Sequence, residues 1–208
     1  MKTENLMANF VTNRIRLIGN ESIRQLAKEI NQRINLESAK NNNAQDLSIV
    51  GKVLYGYDDE DASLSEEIEA KWVHPDGQMA EADPLRLVSG WAPVKEIQEH
   101  ILWHAFQLDP KVIVYMEYDD EAPNFIGARY ALIDDYDVYT FESEVDTSDM
   151  KVCFEDELEE QLEKNKLTQE YEKVIDWDGL WNMLYEQQLN AYNQMKKKFK
   201  WVKDDYIR

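Results

Sequence analysis

One cysteine, three histidines, five prolines and seven glycines in 208 residues are too few for several kinds of protein. The lone Cys153 permits no internal disulfide, which removes the small cross-linked secreted folds and fits a reducing compartment. None of the glycines stands in a Gly-x-Gly or Walker spacing, so no phosphate-cradling loop is encoded. Nor does any serine occupy a Gly-x-Ser-x-Gly elbow. No apolar run approaches the ~18 residues that cross a bilayer, and the mean hydropathy is -0.65. Near the N-terminus, Asn13, Arg14 and Arg16 interrupt the apolar stretch, unlike a secretory signal. The expectation is a cytoplasmic protein without a membrane segment.

Positive charge is also in short supply, with 23 Lys and Arg against 42 Asp and Glu and a net charge of -19. Its distribution is uneven. Residues 117 to 163 hold seventeen acids against Arg129 and Lys151, whereas residues 1 to 36 carry six basic side chains against three acidic ones. The last thirteen residues are basic as well. Binding along a nucleic-acid backbone needs Lys and Arg to neutralise phosphates, so no direct nucleic-acid partner is expected for the bulk of the chain.

What the chain has is ample material for a core: 43% hydrophobic residues, six Trp and eleven Tyr. At ~150 residues per domain, this length provides one domain with an appendage. The stretch from Leu85 to Ile133 is the most regular. Leu85 and Leu87 open a short strand that Ser89-Gly90-Trp91-Ala92-Pro93 stops. Pro93 suits a first helical position, and Val94, Ile97, Ile101, Ala105 and Leu108 recur on one face before Asp109-Pro110. From Lys111 to Tyr118 the period changes to two, in a β-branched and aromatic mixture. A loop at Asp119 to Asn124, a return strand from Phe125 to Ile133 and a third strand from Tyr136 to Phe141 complete an antiparallel meander.

Upstream, Phe10 to Ile18 reads as the first strand, with Val11, Ile15 and Leu17 on one face. Ser22 is the expected cap of a helix whose apolar side is Ile23, Leu26, Ala27, Ile30 and Ile34. Leu47 to Leu54 reads as a second strand, Asp58 to Glu69 as an acidic solvated stretch, and Ile68 to Val73 as a further short strand. Two βαβ-like halves of this kind predict an α+β, ferredoxin-like antiparallel sheet with two helices on one face, extended by a C-terminal hairpin and an appended helical region.

Four short pieces occur in that order: Met7-Ala8-Asn9-Phe10-Val11-Thr12-Asn13-Arg14, Glu69-Ala70-Lys71-Trp72, Ser89-Gly90-Trp91-Ala92-Pro93 and Phe125-Ile126-Gly127-Ala128-Arg129-Tyr130. Together they resemble the YubB-like ferredoxin-like family of plasmid, phage and integrated-element proteins. The resemblance covers residues 7 to 142 and implies a fold and a mobile-element setting, with no activity, substrate or catalytic residue. Phe10-Val11 stands where that family tends to have Trp-Cys, so no role for such a cysteine carries over. The expected organisation is a domain over 7 to 142, with an acidic linker and C-terminal helices over 143 to 208 packed on it.

Within that last part, Glu142 to Asp149 reads as a polar linker and Glu155 to Glu163 as an acidic helix. Asp176 is the expected cap of a long helix with Trp181, Tyr185, Gln188, Tyr192, Met195 and Phe199 in a heptad-like stripe widened by Leu184 and Leu189. Such a stripe docks on the domain, pairs with a second copy to give a homo-oligomer, or receives a partner.

Candidate chemistry is sparse. Glu96, His100 and His104 share a helix face at spacings of four, but without the His-Glu-x-x-His order or a further ligand. Asp59, Asp61, Ser63 and Ser65 mimic a calcium loop that lacks its glycine and its final glutamate. Cys153 lies among acids that raise its pKa and blunt it as a nucleophile. No cofactor or metal is expected, and no catalytic residue emerges. The reading is a non-enzymatic mobile-element accessory protein that acts by binding a protein partner. Its candidate surface is Glu117, Asp119, Asp120, Glu121, Glu155, Asp156, Glu157, Glu159 and Glu160. An alternative has these carboxylates imitate DNA phosphates and block a host nucleic-acid enzyme; a second alternative is an enzyme of unrecognised type.

Overall fold

The computed structural model describes residues 9–40, 48–56, 68–77, 79–80, 84–121 and 124–203. Alternating apolar side chains build strand β1 (Phe10–Ile18), and helix α1 (Glu21–Lys40) follows after a tight turn. Asn20, not Ser22, caps α1: its Oδ1 accepts from the backbone N–H groups of Ser22 and Ile23 at 2.9 and 3.3 Å.

Of the strand expected over Leu47 to Leu54, residues 48–54 are described and form no strand. In its place a short helix α2 (Ser48–Val50) runs into a π-helical turn, Gly51–Tyr55, that ends at Gly56 with φ of 71°. The reason is legible in retrospect. Ile49, Val50 and Val53 are all buried, and positions spaced by one and three share a helix face, whereas in a strand Val50 would face away from the others. The acidic stretch and the calcium-like residues Asp59, Asp61, Ser63 and Ser65 lie outside the described residues, apart from the last two positions of that stretch.

Strand β2 (Val73–Pro75) is three residues long and starts where the expected strand ended. It leads to β3 (Leu85–Gly90), helix α3 (Lys95–Phe106), β4 (Ile113–Asp120), β5 (Phe125–Asp134) and β6 (Asp137–Asp146). Helix α3 begins two residues after Pro93 and ends before Leu108. That residue is half exposed because helical periodicity stops with the helix. Asp135 and Tyr136, with φ of 50° and 66°, form the two-residue turn between β5 and β6. The segment read as a linker from Glu142 is strand as far as Asp146, because Glu142 and Glu144 keep pairing with Arg129 and Gly127.

The six strands lie in the order β2-β3-β1-β4-β5-β6, every neighbour antiparallel. Alternation then sorts the side chains of β4 into two cores. Val114, Met116 and Tyr118 pack with Ile23 and Ile34 of α1 and Ile97, Ile101 and Leu102 of α3. Ile113 and Tyr115 point the other way, into a cluster with Ala191, Tyr192 and Met195. Those last residues belong to α5 (Trp177–Lys198), which lies across β5 and β6. Strands β4 and β5 are thus covered on both faces, as their near-continuous burial shows.

Between β6 and α5 the chain makes a small parallel pair, β7 (Met150–Cys153) with β8 (Lys173–Asp176), bridged by α4 (Leu158–Thr168). Asp176 caps α5 as expected, its Oδ1 accepting from the Gly179 N–H at 2.7 Å. The buried side of α5 differs from the expected stripe in its first half: Leu180 and Leu184 enter the core with Ile126, while Trp181 and Tyr185 face outward. A one-residue step turns a helix by ~100°, and the sheet takes the aliphatic pair.

Candidate functional site

The nine acids divide into unlike groups. Glu117 and Asp119 flank Arg14 of β1, at 3.8 and 2.6 Å. Glu117 also accepts from the Tyr115 hydroxyl at 2.9 Å. Asp120 is buried and accepts from Asn124 and Asn9 at 2.5 and 3.3 Å. Glu121 alone of these four is exposed. Glu155, Asp156, Glu157, Glu159 and Glu160 are all exposed, on the 3-10 turn before α4 and its first turn. The fold therefore holds Glu117 and Asp119 beside a cation and gives only the second group entirely to solvent.

Under the first turns of α3 lies a polar network that composition does not reveal. Asn13 is buried because strand parity puts it inward between Val11 and Ile15. Its Nδ2 donates to Ser89 Oγ and to the Val11 carbonyl, both at 2.9 Å, and its Oδ1 accepts from the Val94 N–H at 3.1 Å. One amide thereby joins β1 and β3 to the start of α3. Next to it Tyr118 donates to Glu142 at 2.5 Å and Glu144 at 2.7 Å, and Lys95 meets Glu142 at 2.6 Å. Burial first, and then the two carboxylates, push the Tyr118 hydroxyl far above its ordinary pKa. Its ring lies on Gly127, where a Cβ would come within 2.5 Å of it. Arg129 completes the network: buried, it donates to Gln98 Oε1 at 2.5 Å and pairs with Glu99. The charged groups are committed to one another, which is how buried polar groups are made affordable.

The remaining candidates are ordinary in placement. His100 Nε2 lies 2.9 Å from the Leu54 carbonyl and 3.1 Å from His104 Nε2, with the Tyr55 ring stacked on it at 3.9 Å. Among the described residues no three His, Cys, Asp or Glu side chains are placed to hold a metal ion. Cys153 is buried, and burial followed by Glu157 and Asp176 raises its thiol pKa. No described helix is long and apolar enough to cross a membrane.

The face of β2, β3 and β1 opposite α1 and α3 has a different character. Helix α5 covers β5 and β6 and stops short of these strands, so this half of the sheet is bordered by the outward edge of α5. That edge presents Trp177, Trp181 and Tyr185 at spacings of four, exposed by 40%, 43% and 50%. Trp181 stacks on the Arg14 guanidinium, 5.3 Å from ring centre to Cζ. Further along β1, exposed Phe10 meets Trp72 edge-on at 5.3 Å, and Trp72 stacks on His74. Trp72 lies over Gly90, where a Cβ would sit 2.5 Å from Nε1. Trp91 follows, exposed and held at φ of 74°, a left-handed conformation costly for a bulky residue.

Sequence reasoning put Trp181 and Tyr185 in a stripe that docks on the domain, pairs with a second copy or receives a partner, and gave Arg14 no role. The available signal was Arg14 alternating with Thr12 and Arg16 on the outward side of β1. Comparison with protein-family models, curated proteins and solved structures found no match.

Proposed function

We propose that this chain works as a non-enzymatic protein-binding module whose α5 edge and the half-sheet bordering it receive a protein partner. The observation that carries the reading is the outward row Trp177, Trp181 and Tyr185, with Arg14 held under Trp181. Exposed aromatic side chains beside an arginine are the composition of interface hot spots. Aromatic surface left in water is unfavourable, and a row of such side chains on a folded protein marks a binding face. The left-handed Trp91 adds support, since backbone strain collects at functional positions.

The scaffold reading that goes with this is a ferredoxin-like split βαβ unit over β1 to β4, extended by β5 and β6. In its favour are the order β2-β3-β1-β4, the antiparallel pairings, and α1 and α3 sharing one core. The mobile-element setting rests on the short sequence pieces that resemble the YubB-like family.

Affinity capture from host lysate tests the binding reading. Wild type should retain a partner through high salt, and the variant with Trp181→Ala and Tyr185→Ala should lose it, because apolar contacts are not screened. A partner that is released by salt, survives that variant and is lost when Glu155, Glu157, Glu159 and Glu160 become Gln would refute it in favour of the acidic surface.

A further inference from the structure

His100 and His104 have no part in the binding face just described, because α3 lies on the opposite side of the sheet from α5. A spacing of four puts both imidazoles on one side of α3, next to the Gly51–Tyr55 turn. Their Nε2 atoms are 3.1 Å apart, and His100 Nε2 is 2.9 Å from the Leu54 carbonyl oxygen. The Tyr55 ring, stacked on His100, sets the plane of that imidazole. The carbonyl belongs to the last turn of a π-helical segment, where main-chain oxygens lack an intrahelical donor. Such segments recur at functional sites. His100 is half-buried and His104 exposed, so this cluster of donor atoms opens to solvent.

Hydrogen bonding alone serves this cluster poorly. A proton on His100 Nε2 has to be shared between the Leu54 oxygen and His104 Nε2, whereas a metal ion takes a lone pair from all three atoms. Donors about 2.0–2.1 Å from a metal lie about 2.8–3.0 Å apart at right angles and about 3.3–3.4 Å apart in a tetrahedron. The observed 2.9 and 3.1 Å are nearer the right-angled case. We infer that His100 Nε2, His104 Nε2 and the Leu54 carbonyl form a site for a divalent copper or nickel ion, in tetragonal coordination completed by water. Imidazole suits these metals, copper binds tightest of the first-row series, and tetragonal nitrogen and oxygen donors are their preferred set. In the metal-bound form each ring carries its proton on Nδ1. The donors are two side chains and one main-chain oxygen, so among the described residues no trio of ligand side chains marks the site. The net charge of -19 favours the approach of a cation, and the bound ion clamps α3 to the Gly51–Tyr55 turn.

Copper(II), nickel(II) and zinc(II) chlorides titrated separately into the untagged chain in a calorimeter test this. One equivalent of copper should bind, more tightly than zinc, and its affinity should fall roughly tenfold or more in His104→Gln and in His100→Gln. Thermal unfolding without metal reports that each variant is folded, and added metal should raise the midpoint of wild type only. Electron paramagnetic resonance of the copper form should show coupling to two imidazole nitrogens in wild type and to one in His104→Gln. Affinity untouched by both substitutions, or coupling to fewer than two nitrogens in wild type, overturns the site. Zinc binding more tightly than copper overturns the tetragonal assignment. A Leu54 ¹³C carbonyl resonance that does not shift on saturation with diamagnetic zinc overturns the main-chain ligand.

Discussion

Two glycines in this sheet meet an aromatic ring at the same distance, and their replacement should have unequal consequences. A Cβ at Gly127 would lie 2.5 Å from the Tyr118 ring, and a Cβ at Gly90 the same distance from the Trp72 indole. Neither contact is tolerable, so a ring must move in each case. Tyr118 is fully buried, with its hydroxyl anchored on Glu142 and Glu144. Displacing it overpacks the core, which costs about 1–3 kcal/mol, and loosens two hydrogen bonds to carboxylates. For Gly127→Ala a loss of about 2 kcal/mol is expected, or a Tm lower by about 4–8 °C in a chain of this size. Trp72 is only partly buried and can swing outward. Gly90→Ala should therefore cost under about 1 kcal/mol while removing Trp72 from beside Phe10 and weakening partner capture. Urea melts and lysate capture on the two variants separate the cases. A Gly127→Ala protein as stable as wild type would show that the Tyr118 ring does not rest on Gly127, and would refute the packing argument.

Three further outcomes follow from the same contacts. Arg129→Met removes the donor that Gln98 and Glu99 share, and should lower stability by about 1–3 kcal/mol in urea titration; a smaller loss would mean solvent reaches the network. Asp176→Ala takes the cap from α5 and should cost about 1 kcal/mol, with Asp176→Asn recovering most of it. In alkali, burial pushes the Tyr130 phenol up to about 12, above the ordinary value of ~10 for an unfolded tyrosine. Tyr115 and Tyr118 are raised in the same direction. The folded state then keeps protons that the unfolded chain releases, so this contribution is complete below pH ~10 and is lost as pH climbs toward 12. A urea midpoint that stays level between pH 8 and pH 11 would contradict it.

Local pattern was legible where neighbouring residues carried it. Alternation located β1 and β4, the loop after β4 located β5 as its return strand, the Asp-Asp turn located the last hairpin, and Asp176 marked the start of α5. The same pattern misled where an apolar run was short. Leu47 to Leu54 fits a strand or a helix equally well by spacing, and only its neighbours α1 and α3 select the helical turns that bury Ile49, Val50 and Val53 together. The end of β6 was hidden for a related reason: Glu142 and Glu144 look like linker residues until Tyr118 and Lys95 are seen to face them.

Charge shows the division most plainly. The sequence by itself determined the composition, the -19 balance and the strings of acids, because these do not depend on folding. Which of those acids meet solvent is decided by contacts between residues distant in the chain. Arg14 neutralises Glu117 and Asp119 from more than a hundred positions away, and the same fold brings Trp181 over Arg14 and turns it outward. Strand pairing and helix docking fix such contacts through hydrogen bonds and burial summed over whole elements, and no local run of residues contains that sum.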